Sequence, residues 1–167
     1  MIALSKAFFG FSFDDCVSWG EKAILESQTQ GFADLEADAT YSLGLHYGDH
    51  VDLDLAQDCF KKAFALHKSV GNDDRAFEDL WNQAYYEQVL GNIDTAFAIY
   101  EEVLSFAEQR NDTVAVANTY ANMAVIQYQA NDFAGSEMSF KKSRSLYVLL
   151  DDQLEVARRS EERRVGK

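Results

Sequence analysis

The spacing in this chain that comes nearest to doing chemistry is His46 and His50, four residues apart, with Asp49 and Asp52 beside them. Two imidazoles one helical turn apart can grip a divalent metal, and a neighbouring carboxylate can add a third ligand. The pattern stops there. No His-Glu-x-x-His motif accompanies the pair, and His67 falls on the next helix, so two histidines at a helix end is the simpler reading. Cys16 and Cys59 form no Cys-x-x-Cys pair and stand where small packing residues are needed. There is no glycine-rich phosphate loop. Carboxylates come in runs such as Asp14-Asp15 and Asp73-Asp74, which suit the positive end of a helix dipole. Asn111-Asp112-Thr113 matches a glycosylation sequon but sits on a turn, where capping accounts for it. No acid, base or nucleophile constellation assembles. The expectation is a non-enzyme with no cofactor and no metal.

The elements that would carry a function other than catalysis emerge from a repeat. Shifted by forty residues, the sequence aligns with itself without a gap: Cys16, Ala56, Ala96 and Ser136 are all small, and Gly20, Phe60, Tyr100 and Phe140 follow four residues later. Ala23, Ala63, Val103 and Ser143 align, as do Gly44, Ala84 and Ala124. Turn residues recur in the same phase at Gly31, Gly71-Asn72, Asn111-Asp112 and Asp151-Asp152, with a second set at Gly48-Asp49, Gly91-Asn92 and Asn131-Asp132. Gly and Asn end helices in the left-handed conformation, and Asp or Asn caps the next one. Each period therefore holds two helices. They are expected near 34–48, 53–70, 73–90, 93–110, 113–130 and 133–149, preceded by one near 13–28 and a short stretch at 3–9. Phe97, Tyr100, Val103, Leu104 and Ala107 recur at three and four, as one face of a helix requires. The chain contains no proline, which leaves every helix interior uninterrupted.

Composition narrows the partners. Of 167 residues, 28 are acidic and 15 basic, a formal charge of -13. Such a surface repels the phosphates of nucleic acid and of anionic membranes and favours partners with basic segments. No apolar run approaches the ~20 residues of a membrane span. The segment Met1–Phe9 lacks the charged start of a signal peptide, so a cytoplasmic location is expected.

The recurring residues resemble the tetratricopeptide repeat (TPR), whose pattern is W-x2-L-G-x2-Y followed by A-x3-F and a later small residue. Leu43-Gly44, Tyr47, Ala56, Phe60 and Ala63 match it best. The second repeat keeps Ala84, Ala96 and Tyr100 but carries Gln83 and Glu87 where Leu and Tyr are usual. The third keeps Ala124 and Phe140 but carries Ser136 and Ser143 in place of alanine. The long period and the missing proline resemble a subclass seen in Leu-Gly-Asn adaptors, kinesin light chains and bacterial peptide-sensing regulators. The resemblance implies an all-α fold, a right-handed α-solenoid of stacked antiparallel helix pairs. It divides the chain into a repeat array over 1–158, comprising a partial repeat at 1–30, full repeats at 31–70, 71–110 and 111–150, and the start of another at 151–158.

By the same resemblance, the first helix of each pair would line a concave groove with Tyr41, Leu45, Glu78, Trp81, Asn82, Tyr85, Gln88, Asn118, Asn122, Val125 and Tyr128. The implied function is a protein-interaction scaffold, with a sensory or regulatory module of a larger signalling enzyme or transcription regulator as the alternative. Trp81, Tyr85 and Tyr128 could equally pack between hairpins, and the two asparagines could bond neighbouring turns. No lysine or arginine clamp is recognisable on this face. Residues 159–167 shift to short charged runs that resemble a translated sequencing-adaptor read-through; the other reading is a native basic helix end. Neither end shows the polar cap of a terminal repeat, which suggests a piece of a longer protein and self-association through uncapped ends.

Overall fold

The computed structural model describes the backbone of residues 12–165 and the side chains of residues 12–151. Seven helices occupy the described residues: α1 (Phe13–Gln30), α2 (Ala33–Asp49), α3 (Leu53–Ser69), α4 (Asp73–Val89), α5 (Ile93–Gln109), α6 (Thr113–Gln129) and α7 (Phe133–Val165). The stretch expected at 3–9 lies outside the described residues. The chain forms two units, divided between Gly91 and Asn92. The first holds α1 to α4 and the second α5 to α7, so the division falls inside the 71–110 period.

The links between helices are two or three residues long, and each turns on one residue of positive φ. These are Gly31, Val51, Gly71, Gly91, Asn111 and Asn131, one every twenty residues. Asn72 and Asp112 then cap α4 and α6 by accepting from the backbone N–H of Arg75 and Ala115. α1 opens with a capping box, in which Ser12 and Asp15 each accept from the other's backbone N–H.

Two expected breaks are corrected. The turn placed at Gly48-Asp49 falls at Val51 (φ 67°), because Gly48 is committed to packing: a Cβ there would lie 1.8 Å from the Tyr86 hydroxyl oxygen. The turn placed at Asp151-Asp152 does not form, and α7 runs through it to Val165. Neither Gly nor Asn stands near that position, and an aspartate among leucines does not repay the cost of a left-handed residue.

In the first unit, Tyr41, Ala56, Phe60, Ala63 and Tyr86 form a buried cluster across α2, α3 and α4. The small residues act as the period predicts. A Cβ on Gly44 would come within 2.9 Å of Cys59 Cβ and 3.1 Å of the Phe60 ring, so the missing side chain is what lets α2 and α3 approach. Phe60, fully buried, meets Tyr41 edge-on at 5.6 Å and Tyr86 near-parallel at 5.2 Å. Gln83 and Glu87, the departures from the repeat pattern, are also buried. Gln83 donates to the Phe60 carbonyl, while Glu87 accepts from Gln57 at 2.6 Å and pairs with Lys61 at 3.3 Å. Polar groups taken from water need such partners.

In the second unit, α5 buries Ala96, Tyr100, Val103 and Ala107, and α6 buries Ala117, Met123, Ala124 and Ile126. On α7, Ser136 and Ser139 are buried against α6, donating to the Ala124 carbonyl and to Gln127 Oε1. Ser136, one of the two serines that replace alanine in the third repeat, thus acts as a hydrogen-bonding spacer.

Candidate functional site

The residues expected to face a partner belong to first helices and fall into register columns forty apart: Glu78 and Asn118; Tyr41 and Trp81; Asn82 and Asn122; Leu45, Tyr85 and Val125; Gln88 and Tyr128. These residues lie on α2 and α4 in the first unit and on α6 in the second.

In the first unit, Trp81 and Tyr85 are one turn apart on α4 and stack nearly parallel, with ring centroids 6.1 Å apart and planes 4° apart. Tyr85 is 44% exposed; Trp81, Leu45 and Gln88 are half-buried. Asn82 is half-buried and donates through Nδ2 to the Tyr41 hydroxyl at 3.3 Å and to the Glu78 carbonyl at 2.9 Å, which fixes the orientation of its amide. Tyr41 is buried, so it is a support for Asn82 rather than a contact surface. Burial pushes its phenol above the usual range, with the Glu78 charge adding to the effect.

The sequence reading passed over Arg75. Its guanidinium sits at the edge of this face, 2.8 Å from Glu78 Oε2 and 3.4 Å from Asp38 Oδ1. Those two carboxylates therefore share one cation. Its spacing to Glu78, three residues along a helix, was the available signal. Behind them lies a buried pair, also missed. His67 Nδ1 is 2.6 Å from Asp79 Oδ2, both side chains are essentially fully buried, and His67 Nε2 is 3.5 Å from Asp38 Oδ1. Burial raises the Asp79 carboxyl to about 6, against the opposing pull of His67. The pair ties α3 to α4, with Asp38 reaching in from α2.

In the second unit, Asn118 is exposed and its carbonyl oxygen accepts from the Tyr147 hydroxyl of α7. Asn122 is half-buried and Val125 is 39% exposed. Tyr128 is 62% exposed and meets Phe133 edge-on at 5.3 Å, so the structure places it at the α6–α7 turn with the aromatics of α7.

His46 and His50 both pack against one aromatic ring. Phe13 lies 5.0 Å from the His46 ring and 4.4 Å from that of His50. Among the described residues no three side chains of metal-binding type come together. Burial pushes the Cys59 thiol up to about 11, which suits a packing residue and not a nucleophile.

No family model matches the sequence, and no curated protein matches it. Solved structures do match, and they show the fold. A kinesin light chain with nearly identical TPR-like repeats from Podospora anserina superposes with a TM-score of 0.71 at 9% identity, over 84% of this chain and 69% of that one. BtubC from P. vanneervenii gives 0.67 at 15% identity, over 84% and 59%. The Rap conjugation gene regulator of plasmid pLS20, solved with the Phr* peptide, gives 0.64 at 18%, over 84% and 40%. The chain thus spans less than two thirds of two of these proteins. Its fold is a TPR-like helical repeat of the α-solenoid class. No described helix is long and apolar enough to cross a membrane.

Proposed function

We propose that this chain is a non-enzymatic protein-interaction scaffold. It holds an extended or helical segment of a partner against the first-helix face of α2 and α4. The observation that carries this reading is the paired arrangement on α4. The stacked Trp81–Tyr85 rings offer stiff, partly exposed apolar area, and beside them the Asn82 amide is held in orientation by Tyr41. Aromatic anchors next to an oriented amide suit recognition of a peptide backbone and its side chains. A cytoplasmic partner with basic segments fits the net charge of -13, although Arg75 locally offsets Glu78 and Asp38.

A second reading, a peptide-sensing module within a larger regulator, is favoured by one observation: the Rap regulator that this chain resembles was solved with a bound peptide, and the likeness spans only 40% of it. A displayed library of random peptides, selected on the whole chain, tests the common element of both readings. Selected peptides are expected to lose at least tenfold in affinity to Trp81→Ala and Asn82→Ala while the melting temperature stays within a few degrees. Peptides whose binding ignores both substitutions would refute the placement on this face.

A further inference from the structure

Of the three histidines, His67 is the one sealed from water, and its two ring nitrogens face two different helices. Nδ1 lies 2.6 Å from Asp79 Oδ2 on α4. Nε2 lies 3.5 Å from Asp38 Oδ1 on α2 and, although buried, has no hydrogen-bond partner; Asp79 Oδ1 is buried and unpartnered as well. Polar atoms shut away from water in this state are costly. Asp38 is also claimed from its other side, by Arg75 Nε at 3.4 Å, and Arg75 Nη1 holds Glu78 at 2.8 Å. The proton count of the pair decides what Nε2 can do. With one proton shared, Nδ1–H donates to the Asp79 carboxylate and Nε2 turns a bare lone pair toward the Asp38 carboxylate. The other tautomer would set two lone pairs against each other across 2.6 Å. With a second proton there are two arrangements: an imidazolium beside ionised Asp79, or a protonated Asp79 donating to Nδ1 of a neutral ring. Both put a hydrogen on Nε2. A proton taken up at either end of the pair therefore emerges as a donor aimed at Asp38.

We propose that His67 is a proton relay that latches α2 onto α3 and α4: uptake of one proton by the His67–Asp79 pair closes the Nε2–Asp38 approach into a charge-assisted hydrogen bond and draws Asp38 away from Arg75. Loss of that proton leaves a lone pair facing a carboxylate and returns Asp38 to Arg75. The titratable and charged groups around the pair are Asp38 and Tyr41 from α2 and Arg75 and Glu78 from α4. Burial raises the Asp79 carboxyl to about 6, with the Glu78 charge adding to the rise and Arg75 opposing it. The latch is therefore closed below about pH 6 and open above it. Because the folded pair holds its proton to higher pH than the unfolded carboxyl does, the extra hold on α2 is lost as pH rises through that value. Arg75 carries the state of the latch to the edge of the Trp81 face, since a guanidinium released by Asp38 is left with Glu78 alone. The inference holds whatever the Trp81 face binds.

The test is nitrogen NMR of the whole chain carrying isotope-labelled histidine, followed across the raised Asp79 value from about two pH units below it to about two above. His46→Gln and His50→Gln assign the other two rings. His67 Nε2 is expected to pass from an unprotonated to a protonated nitrogen as pH falls through about 6. Asp38→Asn should lower that midpoint by about half a pH unit or more, because an amide replaces the carboxylate that stabilises the new donor. Arg75→Gln should raise it, because the competing cation is gone. Asp38 and Arg75 are both half-buried, so these substitutions leave the core intact, and the wild-type spectrum needs no substitution at all. An Nε2 that keeps its hydrogen across the whole range, or never gains one, overturns the inference. A midpoint indifferent to Asp38→Asn overturns it too, by reducing the pair to a bond between α3 and α4 with no connection to α2.

Discussion

α3 and α7 carry the same Phe-Lys-Lys triplet and meet opposite fates. On α3 the phenylalanine is sealed between Tyr41 and Tyr86; on α7 it faces water. The side chains are identical, so the difference lies in the helix that follows. Residue type states what a position could bury, and only the neighbouring helix decides whether it does. The two faces also differ in the interior behind them. The first unit buries a histidine–carboxyl pair, His67–Asp79, whereas α7 in the second buries serines that donate to carbonyl groups of α6.

The sharpest way to break the comparison is to truncate both phenylalanines. Phe60→Ala should cost about 3–5 kcal/mol, as for a large core ring, while Phe140→Ala should cost under about 1 kcal/mol. Denaturant unfolding of each variant measures this, and equal losses would mean that α7 is covered after all.

Next comes the buried pair. The folded Asp79 carboxyl, at about 6 against the ordinary 3.8, holds its proton to higher pH than in the unfolded chain. Its stabilising contribution is therefore complete below the unfolded value and is lost as pH rises through about 6. Stability of the wild type relative to Asp79→Asn should fall between pH 4 and pH 7 by about 2–3 kcal/mol, since one pKa unit corresponds to about 1.4 kcal/mol. Thermal melts of both proteins across that range supply the measurement; a constant difference would remove the pair as a source of pH dependence.

A smaller effect is expected at Gly48, where adding a methyl group drives into the Tyr86 hydroxyl. Gly48→Ala should cost about 1–3 kcal/mol, and Tyr86→Phe in the same chain should return part of it. The absence of any recovery in a double-mutant cycle would place the strain elsewhere. The smallest change expected is a gain. Val51 holds a positive φ at the register where the other periods have Gly91 and Asn131. Val51→Asn should therefore stabilise the first unit by roughly 1 kcal/mol, seen as a rise in melting temperature, whereas Asn131→Val should lower it.

The fold was legible because small and aromatic residues return every forty positions, and backbone sterics translate that return into helix pairs with little freedom. The turn at Val51 was not legible, since a β-branched residue disguised a left-handed position while Gly48, which looked like the turn, was serving Tyr86. The end of α7 was hidden for a related reason: Asp151-Asp152 fits the phase of the turns but lacks the residue types that make them favourable. Of the candidate face, Trp81, Asn82 and Tyr85 were readable from register alone. Arg75 and the His67–Asp79 pair were not, because ion pairing between neighbouring helices depends on side-chain approach that a periodic pattern does not encode. Tyr41 shared the column of Trp81 but was drawn inward by Phe60.

The hydrogen bonds that join Gln83 and Glu87 to α3 have a bearing on how this molecule could be rearranged. Repeats held only by apolar surface can be shuffled like equal bricks, but here α4 carries a key cut for one lock. At the matching positions α6 has Met123 and Gln127, so transplanting it onto α3 would strand Gln57 and Lys61 facing a residue without charge. Chimaeras that exchange these two helices should assemble poorly even where the repeat length is kept, and the order of the hairpins in this protein is accordingly fixed by chemistry as well as by connectivity.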